Sequence, residues 1–375
     1  YVPVAAMAEL DGLPPDLVLP PVDIPPLPHA ARLRCWRLHL GPRARDLEPA
    51  IGEVARRFRY EPRTIAAICA GLPAGPLTAE TLAAAARAQV PLDTGDLAQA
   101  VTPRFRDEEL VLPPAQRRQV EEIHNAMRRL AEVHYGWGTA RAWSEGGISV
   151  LFAGPSGTGK TMAAEVLAAR LAMPMYRIDL SQVVNKYIGE TEKNLKRLFD
   201  MADVADAILF FDEADALFGR RTEVRDAHDR YANLEVSYLL ERMERFKGLA
   251  ILATNRRKDL DEAFLRRLRY IVEFPPPDVP QRRAIWECVI PPEVDAGDLD
   301  LDFLARQFQL TGGSIRSVVF NACLQSAAGP GDDARRLAMP EVLVAVKREC
   351  EKLGRGVSPE QFGPWLAAVE ALRDG

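Results

Sequence analysis

The sequence predicts an α/β fold built on a five-stranded parallel sheet, with an all-helical region on either side of it. Five short apolar runs alternate with helical patterns, which is typical of parallel strands joined by right-handed crossovers. Helical periodicity alone fills residues 30–88 and 280–353. The five predicted strands lie at 148–153, 175–180, 207–211, 249–253 and 270–274.

The composition is that of an ordinary globular protein. The 375 residues are 47% hydrophobic and 27% charged, with a formal net charge of -5. This charge does not favour a nucleic-acid partner, and no apolar run approaches the roughly 18 residues that a membrane span needs. We therefore expect no membrane partner. The five cysteines lack C-x-x-C spacing, which predicts free thiols and a cytoplasmic protein.

A glycine-rich loop follows the first strand and opens an alanine-rich helix, which is the context of a P-loop. Backbone N–H groups of such a loop surround a β-phosphate, and the helix N-terminus adds its positive dipole end. We expect Lys160 to reach the β- and γ-phosphates of ATP and the Thr161 hydroxyl to hold Mg²⁺. A glycine-rich turn with a chance lysine is the alternative, but all fixed positions match. The predicted loop comprises Gly154, Pro155, Ser156, Gly157, Thr158, Gly159, Lys160 and Thr161.

Polar residues end two of the other apolar runs. Asp212 follows the run 208–211 and could hold the water shell of Mg²⁺ beside Thr161. Glu213 could polarise the attacking water as a general base. Asn255 follows the fourth run, where its amide could orient that water or bind the γ-phosphate. Solvated acids and a simple turn asparagine are the alternatives.

Three arginines lie near the end of a short helical pattern at 260–269. Such a cluster is usually a solvated basic face. Arg266 and Arg269 could instead project onto the γ-phosphate of a neighbouring subunit, where arginine fingers increase rates by about 10³–10⁵. A P-loop site needs a cation from that far side, because its own residues supply none there.

With these motifs in order, residues 105–350 resemble an AAA+ ATPase module of the AAA clade proper. The resemblance implies Walker A at 154–161, Walker B at 208–213, sensor 1 at Asn255 and arginine fingers at Arg266 and Arg269. It also implies ATP and Mg²⁺ as cofactors, a helical lid after the core, and a self-assembled ring, expected to be a hexamer. The usual Gly-Arg-Phe-Asp around the second finger is replaced by Leu268-Arg269-Tyr270, which leaves the reach of Arg269 in question.

The resemblance assigns further residues on the ring and the lid. The pore loop that grips a translocated polypeptide would comprise Lys186, Tyr187, Ile188 and Gly189. Gly312 and Gly313 fall where the family packs small residues against the nucleotide. Arg316 could serve as a sensor-2 arginine, although a salt bridge on the helix surface is the more frequent fate.

Residues 186–195 and 223–233 narrow the resemblance further. Their amino-acid sequences are similar to those of AAA ATPases encoded with extracellular contractile injection systems. The two segments could also occur in other AAA proteins.

An internal repeat links the two helical regions. Residues 22–65 match residues 272–315 at a constant offset of 250 without a gap, with 10 identities in 44 positions. Trp36 matches Trp286 in this register. Duplication of one module explains the match, and two unrelated helical segments are the alternative. Pro62 and Arg63 replace Gly312 and Gly313 in the first copy, so we expect the upstream module, whose core would precede Tyr1, to be degenerate.

These observations predict the domain organisation. Residues 1–95 form a helical, lid-like remnant of the upstream AAA+ module, and 96–112 form a linker. The remaining boundaries are an AAA+ core at 113–275, a helical lid at 276–353 and a C-terminal helix at 354–375.

Three functions fit these motifs. The first is an ATP-driven ring that remodels or threads a protein client, with a role in contractile injection system assembly. The second is a nucleotide-gated assembly scaffold that hydrolyses slowly, and the third is a DNA-dependent motor. Tyr187 disfavours the third because DNA motors need basic pore loops, and intact Glu213 and Arg266 favour catalysis over a scaffold.

Overall fold

The computed structural model describes residues 27–88, 98–139, 146–180, 190–215, 237–260, 262–327 and 336–374. The chain divides into two units, Tyr1–Gln89 and Val90–Gly375.

Helices alone build the described part of the first unit. Helix α1 (His29–Leu40) leads through a 3-10 segment (Gly41–Leu47) into α2 (Glu48–Arg57), α3 (Pro62–Ala70) and α4 (Ala79–Ala88). Proline occupies the first turn of α2 and α3, where its missing N–H costs no helical hydrogen bond. Apolar side chains spaced three to four residues apart form the core, which contains Trp36, Ile51, Phe58, Ile65 and Leu82.

A parallel sheet forms the centre of the second unit, as predicted. Its strands β2 to β6 run in the order β3-β4-β5-β2-β6, and all of their pairings are parallel. The strands are β2 (Ile148–Ala153), β3 (Met175–Asp179), β4 (Ile208–Asp212), β5 (Leu249–Thr254) and β6 (Tyr270–Glu273).

One strand was missed by the sequence analysis. Strand β1 (Gln99–Val101) pairs antiparallel with β3 at the sheet edge, within the segment that we predicted as a linker. Its three residues are too few to show strand periodicity.

Apolar side chains cover both faces of the sheet, as parallel sheets require. Strand β4 shows the alternation: Leu209 and Phe211 pack with Phe199 on one face, whereas Ile208 and Phe210 pack on the other. Full burial of such a side chain contributes about 1.5–3 kcal/mol. The two faces therefore hold the carboxyl ends of the strands in one rigid row.

Helices cover the sheet and then continue into an all-helical C-terminal region. The first group is α5 (Pro114–Ala131, continued by a π turn at Glu132–Gly136), α6 (Lys160–Leu171), α7 (Glu190–Ala205), α8 (237–245) and α9 (Glu262–Leu265). The C-terminal group is α10 (Val279–Val289), α11 (Leu301–Gln307), α12 (Gly312–Ala327), α13 (Met339–Lys352) and α14 (Leu366–Asp374). Trp286 lies in the core of this second group. Short 3-10 segments occur at Asp107–Glu109, Arg257–Asp259 and Pro359–Trp365.

Side-chain contacts repeat between the two helical regions at the offset of 250 residues. The Arg32 Nε donates to the carbonyl of Ala55 at 2.8 Å, and the Arg282 Nε donates to the carbonyl of Ala305 at 2.8 Å. Each guanidinium also donates through Nη1 to a carbonyl five residues earlier in the chain. The repeat thus extends from residue identity to buried hydrogen bonds.

Within the described part of the chain, no helix has the length and apolar character to cross a membrane.

Candidate nucleotide site

The glycine-rich loop has a backbone that only glycine adopts without strain. Gly157 has φ of 77° and Gly159, which caps α6, has φ of 102°. These values lie in the left-handed region. A Cβ at Gly154 would lie 2.2 Å from the carbonyl oxygen of Phe274. The loop is therefore held close to β6, and the first N–H groups of α6, which have no partner within the helix, lie at its end.

Lys160 gathers the loop and the neighbouring strand around its ammonium group. Its Nζ donates to the carbonyls of Gly154 at 2.6 Å and Pro155 at 2.9 Å, and to Asn255 Oδ1 at 2.9 Å. These bonds use all three donors of the ammonium. Burial lowers the pKa of Lys160, while Asp212 and Asp215 act in the opposite direction. Two residues 95 positions apart are thus brought into direct contact.

Asp212 ends β4 with both carboxylate oxygens engaged. Its Oδ1 accepts the backbone N–H of Glu213 at 3.0 Å, and its Oδ2 accepts Nη2 of Arg177 at 2.7 Å. Glu213 is exposed and has φ of 53°, a left-handed conformation that costs a residue with a Cβ roughly 1–2 kcal/mol. Thr161, the second residue of α6, is half-buried. A left-handed backbone such as that of Glu213 is found at functional sites.

Asp215 holds the segment that carries Asn255. Its carboxylate accepts a hydrogen bond from the Thr254 hydroxyl and the backbone N–H of Asn255 at 3.1 Å and 3.2 Å. The backbone of Asn255 is therefore fixed by the segment that follows β4, while its side chain contacts Lys160. Sequence reasoning assigned no role to Asp215, although its place three residues after Asp212 was a usable signal.

The start of α12 contacts the glycine-rich loop. The Gly313 N–H donates to the Gly157 carbonyl at 2.9 Å, which ties the C-terminal helices to the loop. Gly312 lies beside the same carbonyl: a Cβ there would be 3.5 Å from it. Arg316, one turn later, places its guanidinium 4.5 Å from the ring centroid of Phe105, a cation–π contact that neither sequence interpretation included.

Arg266 and Arg269 lie in the short segment between α9 and β6. Arg266 is exposed and pairs with the exposed Glu262 at 3.3 Å. The backbone N–H of Arg269 donates to the carbonyl of Ser149 at 3.0 Å, which places this exposed residue beside the beginning of β2. The glycine-rich loop follows the other end of that strand. Ser149 and Ala153, the last residue of the strand, are about 13 Å apart at 3.3 Å per residue.

The predicted pore loop, Lys186 to Gly189, lies outside the described residues. Its assignment stays a prediction.

The residues present fit a nucleotide and a magnesium ion. The glycine loop leaves no room for side chains at its closest contacts. Lys160 and Thr161 open α6 after β2 and Asp212 ends β4, so all three lie at the carboxyl edge of the sheet. The described residues contain no group of three or more His, Cys, Asp or Glu that could hold a metal. A magnesium ion here would therefore depend on phosphates and water for most of its ligands, as is usual for this ion.

Comparison with known proteins identifies two segments of the chain. Residues 150–276 match the family model "ATPase family associated with various cellular activities (AAA)". Residues 28–91 match the model "Contractile injection system ATPase helical domain". The chain carries an AAA ATPase domain preceded by a contractile injection system ATPase helical domain. Both levels of the resemblance stated from the sequence are thus confirmed.

The curated relatives of this chain include several kinds of protein. The AAA family ATPase y4kL of Sinorhizobium fredii is 31% identical over 55% of this chain and 62% of its own length. The 26S proteasome regulatory subunit 6B homolog of Dictyostelium discoideum is 36% identical over 45% of this chain and 44% of its own. The ATP-dependent zinc metalloprotease FtsH 3 of Sphaerobacter thermophilus is 34% identical over 56% and 45%. The chain spans about half the length of the curated relatives that it matches.

Proposed function

We propose that this chain hydrolyses ATP within a ring of copies and uses the energy to remodel a protein client. The observation that carries the proposal is the direct contact of Lys160 with Asn255 beside Asp212, on an edge that Gly313 ties to the helical lid. A nucleotide bound there would touch the loop, the sheet and the lid together. Its hydrolysis could therefore change how the lid packs on the loop.

Each residue then has a distinct task. Lys160 exchanges its carbonyl partners for phosphate oxygens, which releases Asn255 to orient the attacking water. Thr161 and Asp212 hold Mg²⁺, which when bound neutralises charge on the phosphates. Glu213, exposed at the end of β4, accepts the proton of the water as general base.

Binding and hydrolysis should separate in two variants. Lys160→Ala should abolish ATP binding, because it removes the ammonium group that would contact the phosphates. Glu213→Gln should retain binding and stop turnover. Calorimetry and phosphate release measure the two properties. Equal loss of binding in both variants would contradict this division of roles.

We propose that Arg266 and Arg269 act on the nucleotide of a neighbouring copy. Both are exposed, and Arg269 lies at the opposite end of β2 from the loop of its own chain. Activity should then rise steeply with protein concentration. A mixture of Glu213→Gln and Arg266→Ala subunits should recover part of the activity, since an intact Glu213 can face an intact Arg266. A mixture that co-assembles and stays inactive would refute this arrangement.

We propose a protein as the client. The names of the relatives, among them proteasome regulatory subunits and an ATP-dependent metalloprotease, support a polypeptide over a nucleic acid. Tyr187 of the predicted pore loop should grip it. Tyr187→Ala should leave basal ATP turnover intact and reduce unfolding of a fluorescent model protein; loss of basal turnover without loss of assembly would make Tyr187 a packing residue instead.

We propose that the first unit is the lid of a second, degenerate module and that the protein serves contractile injection system assembly. The repeated Arg32 and Arg282 contacts support the first statement, and the match at residues 28–91 supports the second. A producing strain that lacks this protein should form fewer sheathed particles in electron micrographs. A normal number of particles in that strain would contradict the proposed role in assembly.

We propose a cytoplasmic location, which the five free cysteines support. Cell fractionation with an antibody against the chain tests it, and recovery with a secreted fraction would contradict it.

A further inference from the structure

Arg177 is a charged residue in an otherwise buried part of β3. Met175, Tyr176 and Ile178 are buried, whereas the Arg177 side chain is 46% exposed. In the sheet register, Arg177 lies opposite Phe210, and Asp212 is two residues further along β4. The arginine must therefore extend along the strand toward the carboxyl edge to reach Asp212, as its 2.7 Å ion pair shows.

The Arg177 guanidinium and the backbone N–H of Glu213 donate to different oxygens of the Asp212 carboxylate. Oδ1 accepts the Glu213 N–H and Oδ2 accepts the Arg177 guanidinium. A carboxylate offers about four lone-pair sites, so two remain for other donors. With one bond to each oxygen, the plane of the carboxylate is held from both sides.

The strand order places Arg177 on the far side of Asp212 from the phosphate loop. Along the carboxyl edge, β3 is followed by β4, then β5 with Asn255, and then β2, which leads into the loop. Arg177 therefore approaches Asp212 from the side that faces away from Lys160. It can hold the carboxylate without standing between that group and Thr161.

We propose that Arg177 is a positioning residue for the metal site: it holds the Asp212 carboxylate in the orientation that presents its free lone pairs toward Thr161. The inference rests on the proposed ATP and magnesium site and adds a residue to it. Outer partners of metal ligands typically contribute 10- to 100-fold to metal affinity, whereas exposed ion pairs contribute far less. Since Arg177 is half-exposed, we expect about a two- to tenfold effect.

Binding of ATPγS measured by calorimetry, once with Mg²⁺ and once with EDTA, tests the proposal without reference to turnover. The ratio of the two affinities is the gain that Mg²⁺ supplies. Arg177→Gln should reduce this gain about two- to tenfold while leaving the affinity in EDTA unchanged. Arg177→Lys should restore most of the gain, because it retains a cationic donor. The control is Arg283→Gln, a lid arginine with the same 46% exposure in a 3.1 Å pair with Asp302, which should behave as the native chain.

Three outcomes would overturn the proposal. An unchanged gain in Arg177→Gln would mean that Asp212 needs no positioning, and a larger gain would mean that the guanidinium competes with Mg²⁺. An equal fall of affinity in EDTA and in Mg²⁺ would indicate a general structural role, and urea unfolding of the same variant would register it. If the native chain bound no ATPγS, the proposed function itself would fail. If the native chain binds ATPγS and gains affinity with Mg²⁺, a negative result for Arg177→Gln would contradict only the role of Arg177.

Discussion

The contact between the lid and the phosphate loop can be tested with two neighbouring glycines. A Cβ added to Gly313 would lie 3.0 Å from the Cα of Gly157, whereas a Cβ added to Gly312 would lie 3.5 Å from the nearest atom, the Gly157 carbonyl oxygen. Carbon atoms pack best at about 3.5–4.0 Å, so only the Gly313→Ala change forces the loop and the lid apart. Gly312→Ala is the matched control.

The size of the effect follows from this overlap. Overpacking of a tightly packed position typically costs about 1–3 kcal/mol, and the overlapping atom belongs to the backbone of the loop itself. If that cost falls on the nucleotide-binding conformation, affinity for ATP should fall about 5- to 150-fold. The Gly313 N–H bond to Gly157, 2.9 Å long, should weaken as well. Gly312→Ala should change affinity by less than about threefold, because its new contacts are of ordinary length.

Calorimetric titration of ATP into both variants in the Glu213→Gln background, where turnover is stopped, measures the difference. Circular dichroism of each variant verifies that the overall helix content is retained. Equal affinities for Gly312→Ala and Gly313→Ala would refute the reasoning, since only one of the two changes creates a short contact.

Three further predictions follow from buried polar contacts. Asp215→Ala should lower ATP turnover by about tenfold or more with a smaller effect on binding, because Asn255 loses its backbone anchor; phosphate release measures this, and unchanged turnover would contradict it. Arg32→Met and Arg282→Met should each destabilise their own helical region by about 2–4 kcal/mol in urea unfolding, because each removes the donor of one buried and one part-buried carbonyl; a marked inequality would contradict the equivalence of their contacts. Burial raises the pKa of Tyr60, so its contribution to stability is present below its ordinary pKa of about 10 and is lost as the pH rises from there toward the raised value. Tyr60→Phe should therefore flatten the loss of stability above about pH 10, and an unchanged slope would refute this.

Short-range sequence signals predicted much of the fold of this protein. The glycine loop requires backbone angles that only glycine adopts easily, and the positive φ of Gly157 and Gly159 agrees with the loop read from the sequence. Apolar runs alternating with helices are typical of a parallel sheet, and the five parallel strands were predicted correctly. The position of Asp212 at the end of a buried run and of Asn255 at the end of the next likewise follows from the chain itself. These are signals carried within a few residues.

Tertiary structure alone decided how distant groups meet. The Arg177 pair with Asp212 spans 35 residues, the Asp215 bond to Asn255 spans 40, and the Gly313 bond to Gly157 joins the lid to the loop. Strand β1 is too short to carry a periodic pattern and exists because β3 offers it an edge. Sequence spacing cannot determine such contacts, because they depend on strand order and register, and these are set by the packing of the whole sheet and its covering helices.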